Sequence, residues 1–508
     1  MQLSKENLKR VNVQPELSIP GERIFELPEK VLQFGTGVLL RGLPDYFIDK
    51  ANKQGIFNGR VVVVKSTNKG GTDAFGKQDG LYTICVKGVE DNKTIEETII
   101  NASVSRVLSA GDDWKEILKC ASNPEMKLII SNTTEVGIVL TDDDITSSPP
   151  HSFPGKLLAF LCERYKVFNG SEESGMVIIP TELITNNGDK LKEIVLQLAD
   201  KNKLDKDLIQ WLKTANHFCN SLVDRIVPGA LPKADHKAME EKLGYTDELM
   251  IMAESFRLWA IESASDKVKE VLSFSKADDG VVITPDIEKF RELKLRLLNG
   301  THTFSCAVAV LSGYETVKEA LNDEAMLLFI RRLLLLEIAD VMDSKDISYN
   351  EACAFANKVI DRFRNPFLDH KWLSISVNYS SKMKMRNVPL LQKYFAKHAN
   401  VPQHMSLGFA AYIAFMKCMQ EEDGKYYGTA NGTTYLIDDN AASFFAEQWA
   451  KNDIDELVNC VLANESLWGA DLSVHREFAR TIKENLLLIL NEGVAAAIEK
   501  RHLQKITV

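Results

Sequence analysis

A lysine, an asparagine and a histidine at positions 294, 299 and 302 sit within "KLRLLNGTHTFS" (residues 294–305), among leucines spaced like the inner face of a helix. Together these side chains suit the interconversion of a ketone and an alcohol. That reaction needs one group to exchange the hydroxyl proton while hydride moves at carbon. A lysine shielded from water has its charged form disfavoured, so it can exchange a proton near neutral pH. An asparagine amide steadies an oxygen as negative charge develops on it. A histidine can orient a sugar hydroxyl without titrating. On an α-helix, Asn299 lies about 140° and His302 about 80° round from Lys294. All three then share one side and can converge on a ligand held between two domains. The alternative is that Asn299 and His302 brace neighbouring helices while Lys294 snorkels to solvent.

The elements that would position them divide the chain in two. "KVLQFGTGVLLRGLPDYFIDKANKQG" has the pattern of a short apolar strand, a glycine turn and an amphipathic helix. "GRVVVVKST", "MKLIISNTTEVG" and "GMVIIPTELIT" are apolar runs of the kind found in fully buried parallel strands, with helical stretches between them. "LYTICVKGV" and "TIEETIINASVSRVLS" also have strand character. This alternation predicts an α/β, Rossmann-like, doubly wound sheet domain over 1–283. From about residue 285 helical spacing dominates and strand signals nearly vanish, so a mostly α-helical substrate and catalytic domain is expected over 284–508.

Bulk properties narrow the function. The 508-residue chain exceeds what one hydrophobic core organises, and its 45% hydrophobic and 26% charged residues are ordinary for a globular protein. A formal charge of -10 argues against nucleic-acid or anionic-membrane partners. The eight cysteines are scattered singly, without zinc-ligand spacing, as expected for reduced thiols in a cytoplasmic protein. No apolar run approaches the roughly 18 residues of a membrane span, and the N-terminus lacks a signal peptide's apolar stretch.

The first strand–helix junction, "LQFGTGVLLRG", carries Gly35 for a tight turn and Gly37 for close approach of backbone to a pyrophosphate. Leu40 occupies the third glycine position of the dinucleotide fingerprint, so the motif is incomplete. The second strand ends in Lys65, Ser66 and Thr67 rather than an acid that would grip a ribose hydroxyl, which leaves NAD versus NADP open.

The K-x4-N-x2-H pattern of "LKLRLLNGTHT" resembles that of the mannitol dehydrogenase family, the zinc-independent, polyol-specific long-chain dehydrogenases. "FGTGVLLRG", "QDGLYT" (78–83), "NSLVDRIVP" (220–228) and "RFRNPFLDH" (362–370) extend the resemblance over nearly the whole chain. The resemblance implies NAD-dependent oxidoreduction without a metal. Lys294 would be the general acid/base, Asn299 and Asn187 would hold the reacting oxygen, and His302 would orient substrate and lysine. Glu135 would relay the proton toward solvent. Phe34, Gly35, Gly37, Arg41, Asn132 and Thr133 would border the cofactor. Asp224 and Arg225 would form either an ion pair shaping the site or an ordinary structural pair.

Polyol-oxidising relatives carry an arginine at about the position of Ser374 and a lysine eight residues later, where Lys382 remains. Together with "TEL" at 181–183, the loss of that arginine points away from mannitol. Within the family, "NPEMKLIISNTTEVGI" and "ANHFCNSLVDRIVPG" most resemble the members acting on keto-hexuronates. The implied reaction is reduction of tagaturonate to altronate in hexuronate catabolism, with Lys382, Lys384 or Arg386 binding the carboxylate. Fructuronate, or fructose giving mannitol, is the nearest alternative substrate, and a catalytically silent nucleotide sensor is the alternative of another class. A monomer or small homo-oligomer is expected.

Overall fold

The computed structural model describes residues 1–12, 14–66, 72–133 and 136–503. Its residues form two compact units, Met1–Gly88 with Thr94–Ile287, and Val89–Lys93 with Glu288–Val508.

The first unit is built on a six-stranded sheet whose strands we number β1 (Glu29–Phe34), β2 (Arg60–Lys65), β3 (Val104–Ser109), β4 (Leu128–Ser131), β5 (Val177–Pro180) and β6 (His217–Phe218). Their order is β3-β2-β1-β4-β5-β6, every neighbouring pair parallel. The order reverses at β1, the arrangement that opens a ligand crevice at the carboxyl ends of β1 and β4. "RVVVVK" shows why the strands are apolar throughout. Val62 and Val64 enter one core with Trp114, Phe153 and Trp211, while Val61 and Val63 enter the opposite core with Phe47, Tyr82 and Trp259. The stretch of strand character over 94–109 is two strands in different sheets: Lys93–Asn101 pairs with Tyr82–Glu90, and β3 joins the parallel sheet.

The second unit is helical around Gln403–Phe415, in which every residue from His404 to Phe415 is buried. A Cβ on Gly408 would lie 2.7 Å from the Phe304 carbonyl, so glycine sets the close approach of this helix to α6 (Thr301–Leu311). Three stretches are π-helical: Lys294–Gly300, Leu333–Ile338 and Met383–Asn387. The second half also holds a three-stranded antiparallel sheet, Gln420–Glu422, Lys425–Ala430 and Thr433–Leu436, which the expectation of a mostly helical domain did not single out. Its signals are Asp423-Gly424 and Asn431-Gly432, all four at positive φ in two-residue hairpin turns.

Among the described residues, no helix is long and apolar enough to cross a membrane, and no group of three or more His, Cys, Asp or Glu could hold a metal ion. All eight cysteines are free.

Candidate active site

At the glycine turn, Gly35 has φ +128° and donates to the Val64 carbonyl at 3.0 Å. A Cβ there would lie 2.8 Å from Leu40 Cδ1 and 2.9 Å from the Asn132 carbonyl oxygen. Leu40 thus fills the third fingerprint position as a fully buried residue beneath the turn. The close approach usually made by that third glycine falls to Gly42, where a Cβ would meet Val227 Cγ2 at 2.8 Å. Sequence reasoning missed Gly42, although it ends the quoted "FGTGVLLRG". Gly37 precedes helix α1 (Val38–Gly42), and nothing lies within 4 Å of where its Cβ would be. A strained glycine over a packed floor, followed by an open one, suits a dinucleotide's phosphates.

Other residues expected at the cofactor have varied surroundings. The Phe34 ring is buried against Phe153, and its backbone carbonyl accepts from Asn132 N at 3.1 Å. Arg41 turns inward: Nη1 donates to the Leu249 carbonyl at 2.6 Å and its guanidinium lies over the Phe75 and Tyr82 rings. Asn132 Nδ2 donates to Thr181 Oγ1 at 3.0 Å. Thr133 donates to Glu182 Oε1 through both N (2.9 Å) and Oγ1 (3.0 Å), and Ser131 Oγ donates to Glu182 Oε2 at 3.1 Å. Glu182, 2% exposed, is therefore the post that holds the end of β4, a task that the reading of "TEL" at 181–183 as a departure bearing on substrate does not foresee. Thr67 and Glu135 lie outside the described residues.

Beneath the turn, the fully buried Asp45 accepts from Gln33 Nε2 at 3.2 Å and Tyr82 Oη at 3.4 Å. Burial pushes its carboxyl up to about 7, against the pull of Gln33 and Arg41. Arg225 closes the same region from the other side, donating to the Gly42 and Glu254 carbonyls at 2.7 and 2.8 Å. Its burial lowers the guanidinium pKa to about 10.

Asn187, expected at the reacting oxygen, is fully buried at the start of α4 (Asn187–Lys201). Its Nδ2 donates to the carbonyls of Pro180, Glu182 and Ser221, and its Oδ1 accepts from the amides of Gly188 and Ser221. The amide thus splices the end of β5 to the strand Ser221–Asp224. A hydrogen bond to substrate would have to replace one of these.

In the helical unit, α5 (Glu288–Leu293) runs into the π-helical Lys294–Gly300 and then α6. This corrects the α-helical placement derived from spacing. A π-helix bonds residue i to i+5, so its turn is wider than the 3.6 residues of an α-helix and takes somewhat under five. Lys294 and Asn299, about 140° apart on an α-helix, therefore stack on one side, and His302 follows one α turn later. Lys294 and Asn299 are partly buried and His302 is 8% exposed. Burial, then the nearby His370, Arg362, Arg386 and Lys382, hold His302 well below the usual imidazole range, so the ring is neutral.

A second π turn, Met383–Asn387, packs against the first. Arg296 Nη1 donates to the carbonyls of Met385 and Arg386 at 2.7 and 2.9 Å, and Asn387 Nδ2 donates to the Gly300 carbonyl at 3.2 Å. Arg386 Nη1 donates to Thr303 Oγ1 at 3.2 Å, which in turn donates to the Asn299 carbonyl at 2.8 Å. Lys382 Nζ donates to the Ile375 carbonyl at 2.8 Å. Burial lowers both cations' pKa values, and Arg386 adds to the effect on Lys382. Ser374 is exposed. Arg386, Thr303 and Asn299 thus form one chain of hydrogen bonds, with Lys382 one helical turn from Arg386. The aromatic walls around His302 were missed, although Phe363 and His370 lie in the quoted "RFRNPFLDH".

Comparison with known proteins agrees with this architecture. The family model described as the mannitol dehydrogenase Rossmann domain matches residues 29–272, and that of the mannitol dehydrogenase C-terminal domain matches 286–490. A Halalkalibacterium halodurans protein named altronate oxidoreductase is 38% identical over 483 residues, covering 93% of each chain. A Bacillus subtilis protein of the same name is also 38% identical, covering 94% of this chain and 96% of its own. Among solved structures, the Pseudomonas fluorescens mannitol 2-dehydrogenase in ternary complex with NAD and D-mannitol has 22% identity and a TM-score of 0.66, over 98% of this chain and 99% of that one. A substrate-free D-sorbitol dehydrogenase has 20% identity and a TM-score of 0.76, over 98% of this chain and 100% of its own. These two share the fold.

Proposed function

The chain belongs to the mannitol dehydrogenase family and is an oxidoreductase of the CH–OH group, and from that premise we propose that it reversibly reduces D-tagaturonate to D-altronate with NADH. The relatives named altronate oxidoreductase support the substrate, and the fold neighbour crystallised with NAD supports a nicotinamide cofactor. The observation that carries the chemistry is the π turn stacking Lys294 and Asn299 on one side, with His302 a turn beyond.

The bound dinucleotide would supply hydride to the ketone carbon. Gly35 and Gly37 would admit its phosphates, with Asn132 and Thr133 alongside the nicotinamide ribose. Lys294, as the ammonium, gives its proton to the ketone oxygen, leaving an alcohol and a neutral amine that solvent reprotonates. The Asn299 amide donates to that oxygen while charge builds on it. The neutral His302 accepts from a sugar hydroxyl and fixes the chain of the substrate. Lys382 and Arg386 bind the carboxylate by charge-assisted hydrogen bonds.

Initial rates with tagaturonate, fructuronate and fructose, each with NADH and with NADPH, test this reading. Fastest turnover is expected for tagaturonate with NADH. Fast reduction of fructose with none of tagaturonate would overturn it, and no turnover of any sugar would favour a silent nucleotide sensor.

A further inference from the structure

His302 is flanked by aromatic rings: Phe363 lies flat against it, and the rings of His370 and Trp372 stand nearly perpendicular to it at centroid distances of 5.1 and 6.0 Å. His302 Nε2 is buried without a hydrogen-bond partner, as are Thr301 Oγ1 on the same helix and Arg386 Nε and Asn387 Oδ1 on the neighbouring π turn. Buried polar atoms are rarely left so, and a cluster of them marks where a ligand completes the bonding. The charged groups acting most on His302 are all basic: His370, Arg362, Arg386 and Lys382. Acids on the surrounding elements are engaged elsewhere. Asp361 accepts from the Asp91 amide, Asp369 pairs with Lys318, Glu315 with Lys371, and Asp439 accepts from Ser380. A concentration of basic groups, with the Arg386 Nε donor unsatisfied among them, is a receptor for an anion, and the anion of a keto-sugar acid is its carboxylate.

We infer that His370 determines specificity for the acid substrate: with Lys382 and Arg386 it receives the carboxylate at the edge of His302, taking up a proton as it does so. This deepens the function proposed above and rests on it. Unlike the permanently charged Arg386, His370 can match its charge to the occupant. Without a ligand, burial, Arg362 and Lys382 hold it below the usual imidazole range, so it is neutral near pH 7. A carboxylate offsets those cations and favours imidazolium. Binding of the acid therefore weakens as pH rises past the pKa of the occupied state, whereas binding of a neutral ketose shows no such coupling.

The test is calorimetric titration of altronate into the full-length protein with NADH, at pH 7.5, in buffers of different ionisation heat. Proton uptake is expected in the wild type and not in His370→Gln, whose altronate affinity and tagaturonate KM should weaken about tenfold while kcat changes by less than about threefold. His370→Lys, which keeps a positive charge, should restore affinity without proton uptake. Unchanged KM and proton uptake in His370→Gln would overturn the inference. So would an equal fall in kcat for tagaturonate and fructose. If the wild type binds altronate with His370-dependent proton uptake yet does not reduce tagaturonate, the anion site stands and the assigned reaction falls. Altronate binding without proton uptake removes His370's role whatever the turnover.

Discussion

The His302 imidazole lies parallel to the Phe363 ring, with centroids 4.1 Å apart and planes 11° apart. Phe363 ends the helix Tyr349–Phe363, so the end of one helix fixes the ring plane of a residue on another. Substituting Phe363→Leu keeps the apolar volume and loses the flat face. It is expected to cost about 1 kcal/mol of stability and to lower kcat/KM about tenfold, because ring orientation is no longer imposed. Steady-state rates beside a thermal melt check this, and an unchanged kcat/KM would mean the stacking only fills space.

Replacing Lys294 tests the proton donor. Lys294→Ala is expected to lower kcat by at least about 10²-fold with the fold intact. Lys294→Arg should be nearly as slow, since a guanidinium keeps its proton at neutral pH. Normal turnover by either variant would remove Lys294 from the mechanism.

The two asparagines should separate. Asn187→Ala strips partners from three buried carbonyls and two amides, each worth roughly 1–3 kcal/mol when left unsatisfied. Its main expected effect is a large fall in Tm. Asn299→Ala should leave Tm within a few degrees and lower kcat about 10²-fold. A stable, inactive Asn187→Ala would instead support the oxyanion role that family resemblance assigns to it.

Asp45 makes a pH signature. Its folded-state pKa of about 7 lies above the ordinary 3.8, so between those values the folded chain binds more protons than the unfolded one. Stability from this group is fully present below about pH 4, declines as pH rises, and is lost above about pH 7. Asp45→Asn mimics the protonated form and keeps the acceptor for Gln33 and Tyr82. It is expected to stabilise the protein by about 2–4 kcal/mol at pH 8 and much less at pH 5. Chemical denaturation at both pH values reads the difference, and an equal effect at both would contradict a protonated Asp45.

Much of the sheet unit is legible in the chain because its signals are local. Runs such as "VVVV" satisfy two apolar faces only in a buried parallel strand, and a glycine pair after the first strand marks the turn. The π turn at Lys294 is not legible, since "KLRLLNG" has no proline, and leucine suits α- and π-backbones alike. The lysine–asparagine–histidine group was recognised by residue type, but its angular arrangement depended on a hydrogen-bond pattern that apolar spacing does not encode. The task of Asn187 was hidden for a different reason. Its five partners are backbone groups of Pro180, Glu182, Gly188 and Ser221, and backbone groups leave no trace in side-chain identity. The hairpins near residue 430 were overlooked although Asp-Gly and Asn-Gly announce them, because the helices on either side dominate the pattern.

The turn between Lys294 and Gly300 holds one residue more than an α-helix would use to cover the same arc. Deleting any single residue from 295 to 298 would leave Lys294 and Asn299 four positions apart, and the commoner α spacing would then keep them within about 40° of each other. Relaxing the intact chain to that spacing would instead part them by about 140°. The extra residue is therefore tolerable only while the wider hydrogen-bond ring persists, and a substitution that tightened the ring would misalign the pair without touching either of them.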